Sequence, residues 1–255
     1  MSVLGILTII FVLLTIFITG KSSFYILSGL FANLLLFMMF LFWLHLGGSL
    51  YLVTLIYILF NSLITLIYVN GWNEKTKISL YSIIFFLLLL GLIFIPLMQQ
   101  ISVYGFTDFE LEELSSMDLR IPISFSELSI SVLFIGVSGA LIDGSMSIAS
   151  GTFELYHRRE KELAFQDLLS SSLTVVRSIL NSTVNTLLFA FISSAFILIF
   201  WYQDLSIPWY EVINSKAFVS ELTIIVLSGV SVSFILPFTS LITCWYMLKK
   251  SKKSD

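Results

Sequence analysis

Long apolar runs follow one another along this chain, separated by short breaks in which glycine, lysine, asparagine and aspartate gather. A helix needs roughly 20 apolar residues to cross a hydrocarbon core about 30 Å thick. Seven stretches approach or exceed that length: 3–20, 24–46, 49–69, 78–98, 128–150, 181–202 and 218–247. The pattern predicts an all-α, polytopic transmembrane bundle of about seven helices, with 1–255 forming a single transmembrane domain. Between the second and third runs lies only His45-Leu46-Gly47-Gly48-Ser49, where paired glycines suit a tight turn. The last run is overlong and is expected to tilt, or to bend at Pro237, which lacks a backbone donor.

Composition supports the bilayer as solvent. Hydrophobic residues make up 58% of the chain and charged residues 11%, against about a quarter charged in soluble domains. The stretch Ser2–Thr19 lacks a basic leader, and Gly20-Lys21-Ser22-Ser23 follows it without a small-residue cleavage pattern, so it reads as a retained first helix. The single cysteine, Cys244, lies in an apolar run and reads as a buried small hydrophobe.

Charge then orients the spans. Lys21, Lys75, Lys77, Arg158, Arg159, Lys161, Arg177 and the four lysines of the tail fall on one side, and only Arg120 and Lys216 on the other. The positive-inside bias places the basic side in the cytoplasm. The N-terminus is then outside and the C-terminus cytoplasmic. Residues 99–127 form an external acidic loop holding Asp108, Glu110, Glu112, Glu113, Asp118 and Glu127. A solvated linker is the ordinary reading of such a run. Residues 155–180 predict a cytoplasmic amphipathic segment, from Leu163, Leu168, Leu169, Leu173, Val176 and Leu180 at mostly helical spacing. With so few basic residues, dispersed over short loops, nucleic-acid binding is not expected.

Candidate chemistry concentrates in the fifth and sixth spans. Gly136, Ala140 and Gly144 recur every four residues, as do Gly139, Asp143, Ser147 and Gly151. Small faces let helices approach closely in lipid, where apolar contact alone gives no preference. A carboxylate at helix-centre depth costs roughly 2.5–3.5 kcal/mol on insertion scales, so Asp143 calls for a counterpart. Arg177, Asn181 and Asn185, four residues apart, share one face of the next span. The expectation is that this stripe packs against the Asp143 face, as a structural clasp or as a site for protons, ions or a small solute. Asn33 and Asn61, inside the second and third spans, read as interhelical hydrogen-bonding groups.

Enzyme signatures fail on their own terms. Gly136-Val137-Ser138-Gly139 matches the GxSG string of rhomboid proteases, yet no histidine follows in a later span to activate the serine. Glu112-Glu113 resembles the paired glutamates of CaaX-type proteases but falls in the external loop without the arginine that should follow. His45 and His157 lack neighbouring ligands for a metal. Neither an enzyme nor a bound cofactor or metal is expected.

Three blocks resemble the YibE/F family of bacterial membrane proteins. They are Gly136 to Ser150 followed by Glu154-Leu155; Val176-Arg177-Ser178-Ile179-Leu180-Asn181-Ser182-Thr183-Val184-Asn185-Thr186-Leu187; and Val69-Asn70-Gly71-Trp72-Asn73-Glu74-Lys75-Thr76. The chain departs from the family pattern at Ser178, where an aspartate is usual, and at Ser182, where a glycine is usual. The resemblance implies a multi-pass protein similar to the smaller of two paralogues. It further implies a hetero-oligomer with a larger YibE-like paralogue, or a homo-oligomer. The leading expectation is a transporter or permease subunit. A membrane scaffold or assembly partner is the alternative, and an intramembrane enzyme the weakest.

Overall fold

A computed structural model describes residues 3–101, 125–158, 164–204 and 207–254. Residues 102–124 of the acidic loop, together with Arg159 and Lys161, lie outside the described residues. All regular structure described is helical. It comprises α1 (Val3–Thr19), a 3₁₀ turn (Gly20–Ser22), α2 (Ser23–His45), α3 (Leu50–Leu63) running on as a π-helical segment (Ile64–Val69), α4 (Glu74–Ile101), α5 (Phe125–His157), α6 (Phe165–Asp204), α7 (Trp209–Asn214) and α8 (Lys216–Ser254).

Among the described residues, six helical stretches are long and apolar enough to cross a membrane. The difference from seven arises at the start of the chain, where α1, the 3₁₀ turn and α2 follow one another without a gap over Val3–His45. The two helices coincide with the first and second predicted runs. The break between them is short: Gly20, at φ +55°, leaves the right-handed helix, and a single 3₁₀ turn leads into α2. The amphipathic segment expected before the sixth span also merges with it, since α6 continues unbroken for 40 residues. Pro96 and Pro237 both lie inside helices, in α4 and α8.

Residues 1–76 and 77–255 form two compact units. In the first, α2 packs on α3 and its π-helical extension. Asn33 Nδ2 donates to Thr65 Oγ1 at 3.3 Å, Thr65 Oγ1 to Asn61 Oδ1 at 3.2 Å, and Asn61 Nδ2 to the Tyr57 hydroxyl at 3.2 Å. Asn33 therefore makes the interhelical bond expected of it, whereas Asn61 bonds along its own helix, to Tyr57 and Thr65, and reaches α2 only through Thr65. The glycine turn forms as predicted: Gly47 sits at φ +81° and donates to Leu44 O at 3.0 Å, while Gly48 donates to Trp43 O at 3.3 Å.

The Val69–Thr76 block also acquires a physical account. Gly71, at φ +81°, donates to Ile67 O at 2.9 Å and closes the preceding helix. Asn73 then caps α4: its Oδ1 accepts from Thr76 N at 3.0 Å, while Asn73 N donates back to Thr76 Oγ1 at 3.0 Å. This is the reciprocal arrangement of a capping box.

The second unit is built on α5, α6 and α8, with α4 alongside. Leu133, Val137, Leu141 and Ile148 of α5 are wholly buried, as are Val232, Ile235 and Leu236 of α8. Phe85 stacks on Phe238, with ring centroids 5.0 Å apart. At one end Ile78, Phe153 and Met247 cluster, with Tyr156, Ile242 and Tyr246 against them. Lys77, Arg158 and Lys249 follow closely on that cluster in sequence, so these basic residues share one end of the unit, whereas Lys216 opens α8 at the other. Lys249 Nζ lies 4.6 Å from the centre of the Trp245 ring. That cation–aromatic pairing is common at membrane interfaces.

Candidate functional site: two polar faces on α5 and α6

The small-residue helix α5 divides its glycines between two faces. Gly144 and Gly151 belong to the packed seam. A Cβ on Gly144 would come within 2.8 Å of Leu236 Cδ2 on α8, and one on Gly151 within 3.3 Å of Val175 Cγ1 on α6. Gly136 and Gly139 turn outward instead. A Cβ on Gly139 would meet nothing within 4 Å, and one on Gly136 only Ile224 at 3.8 Å. Asp143 is exposed on this outer face, while Ala140 and Ser147 are half-buried at its edge. Gly144 and Gly151 thus meet neighbouring helices of the chain, whereas Gly136 and Gly139 are exposed.

Arg177, Asn181 and Asn185 are exposed as well. Among the described residues, no side-chain hydrogen bond or ion pair joins them to Asp143. Helix geometry explains why. Thr152 and Ser172 share a hydrogen bond of 2.6 Å, and Gly151 faces Val175, so α5 and α6 run antiparallel. At about 100° per residue, Asp143 lies about 80° round α5 from the Gly151 contact. Asn185 lies about 80° round α6 from Val175, Asn181 about 120° and Arg177 about 160°. Antiparallel helices wind in opposite senses when viewed from one end, so both faces open to the same side of the pair. Thr152 and Ser172 turn to the opposite side, where α8 covers them.

Depth agrees too. From the Gly151–Val175 level, Asp143 lies about 12 Å along the axis, between Asn181 at about 9 Å and Asn185 at about 15 Å. Arg177 is only about 3 Å along, on a long flexible arm. Asp143 and the two asparagines thus share depth and direction without touching, with Arg177 nearer the basic end.

The covered side holds hydroxyls that the four-residue pattern did not reveal. Ser131, Ser138, Ser145 and Thr152 recur at seven-residue steps on α5, and all are buried. A seven-residue repeat keeps side chains on a seam between left-handed crossing helices; that spacing was the available signal. Ser138 and Ser145 donate to carbonyls of their own helix, at 2.7 Å to Ile135 O and 3.1 Å to Ile142 O. Ser172 joins the column at its end, bonded both to Thr152 and to Ser240 of α8 at 2.7 Å. Cys244 is buried, as expected.

Thr239, by contrast, has a buried hydroxyl without a partner. A buried hydroxyl without a partner carries a desolvation cost of about 1–3 kcal/mol, which an apolar isostere avoids. Thr239→Val should therefore leave stability unchanged or raise it by about 1 kcal/mol, checked by thermal unfolding in detergent.

No curated protein and no solved structure matches this chain. A family model described as YibE/F-like protein matches residues 7–249. That span takes in the Asn73 cap, the whole of α5 and the Arg177–Asn185 stripe. The chain belongs to the YibE/F-like family.

Proposed function

We propose that this multi-pass membrane protein is a permease subunit of the bacterial cytoplasmic membrane, with its basic end in the cytoplasm. Asp143, Arg177, Asn181 and Asn185, with Ser147 at the edge, line the polar path for an ion or small solute. The observation that carries this reading is the shared depth and direction of Asp143, Asn181 and Asn185. A carboxylate and two amides facing one way inside bilayer-length helices are costly for packing alone, and Arg177 stands nearer the basic end of α6. Asp143 supplies the exchangeable negative charge, and the asparagine amides can accept or donate along the path.

Reconstitution into liposomes tests this. With a trapped pH dye and an imposed potassium diffusion potential, Asp143→Asn should lower proton flux by about tenfold or more, a barrier change of about 1.4 kcal/mol. Unchanged flux with both Asp143→Asn and Arg177→Gln overturns the ion-coupled reading.

The open space outside Gly139 favours a second reading, an assembly partner that holds a larger YibE-like paralogue. Deleting the chain would then lower the paralogue's abundance, and the liposomes would conduct nothing. Neither reading requires the chain to be an enzyme or to hold a cofactor.

A further inference from the structure

We infer that a second copy of this chain covers the outward face of α5 and α6, with Asp143 of each copy meeting the Arg177–Asn181–Asn185 stripe of the other. This holds whether or not the polar path conducts.

Three observations lead here. First, Asp143 is exposed near the middle of a bilayer-length helix and is joined to no described side chain. Left in hydrocarbon, it would cost a few kcal/mol, so something polar must cover it. Second, the surface is self-complementary: it carries one acid and one base, flanked by two asparagines. A two-fold axis along the membrane normal preserves depth, and it sets the α5 of one copy opposite the α6 of the other. Asp143 already lies between the levels of Asn181 and Asn185, so no vertical shift is needed for the faces to meet. The Arg177 arm must reach about 9 Å along the axis, with the carboxylate extending part of the way towards it. A partner of another kind would have to supply an acid and a base at those same depths. Third, α5 is smooth where the opposing helix must come close. Gly139 has open space where a side chain would stand, and Gly136 nearly so. Small residues beside a polar group are the ordinary means of close helix approach in lipid.

The experiment uses the full chain with Cys244→Ser as background, coexpressed under two tags. One tag carries Gly139→Cys and the other Leu188→Cys, positions 12 and 13 residues from the Gly151–Val175 level and therefore matched in depth. Oxidation in native membranes should link the two tags. A chain carrying Phe17→Cys, whose side chain is 89% exposed on α1, should not link beyond the level of random collision. In a second arm without added cysteines, Asp143→Arg should lower co-capture of the two tags by about tenfold. Adding Arg177→Asp to the same chain should restore it to within about threefold.

The proposal falls if the Gly139→Cys and Leu188→Cys tags fail to link while the chain still inserts. It falls equally if linking matches the Phe17→Cys background, or if position 139 links only to a different protein. Should the Asp143→Arg chain fail to accumulate, recovery of both accumulation and co-capture in the double variant still supports the pairing. Recovery of neither, with no cysteine link, overturns it. A failed flux assay with intact cysteine linking would remove the permease reading and leave the dimer standing.

Discussion

Gly29→Leu is expected to destabilise the first unit by about 3 kcal/mol or more, the largest loss foreseen for a single substitution in this chain. Even a Cβ at position 29 would come within 2.5 Å of Val69 Cγ2. The obstacle is not the free end of a flexible side chain. Val69 is branched at Cβ, with few χ1 choices in a helix, and it ends the π-helical segment whose register also sets Thr65 against Asn33. Relief would require α2 to move away from Ile64–Val69, breaking the Asn33–Thr65 bond and the 3.0 Å contact between the Ser28 and Tyr68 hydroxyls. Loss of protease resistance in residues 1–76, with later helices still protected, would confirm the effect. A variant as resistant as the unaltered chain would show that the two helices are less closely bound than the geometry requires.

Ser172→Ala is the second large effect. The hydroxyl of Ser172 is the only described link between Thr152 on α5 and Ser240 on α8. Its removal leaves two buried oxygens to find other partners in a site closed to water. Hydrogen bonds in membrane proteins average about 0.6 kcal/mol and reach about 1.7. Two such losses and a small void sum to about 1–3 kcal/mol. Thermal unfolding in detergent should register the drop for Ser172→Ala and no drop for Thr239→Val. Equal shifts in the two variants would mean that the column contributes no more than its volume.

Much of this architecture was legible beforehand because its causes are local. The apolar runs predicted helices, since a backbone in lipid must satisfy its own hydrogen bonds. Gly47 was recognisable as a turn residue because positive φ favours glycine. Asn33 was assigned to interhelical bonding because an amide in hydrocarbon seeks a neighbour, and it finds Thr65; Asn61, given the same assignment, finds its partners one turn away in its own helix. The first break falls where the sequence places it and is short: Gly20 at positive φ ends α1, and a single 3₁₀ turn leads into α2.

The candidate site was legible only in part. Asp143 was conspicuous as an acid inside an apolar run, and Arg177, Asn181 and Asn185 as a stripe. Their partnership within one chain did not follow, because sequence spacing fixes which residues share a face and says nothing about where that face points. Period four drew attention to Gly136, Gly139, Gly144 and Gly151 together, whereas α8 presses closely on Gly144 and α6 on Gly151, leaving Gly139 open. The seven-residue hydroxyl series from Ser131 to Thr152 was present in the letters, but serine is too common in such helices for its period to stand out without burial.

What the sequence alone determined is therefore the solvent, the helices and the residues too polar for lipid, since each depends on the transfer free energy and local geometry of a short segment. Tertiary structure decided which side of α5 meets α6 and α8. That azimuth comes from many weak contacts made at once by Leu236, Val175, Thr152 and Ser172, and no single segment contains it.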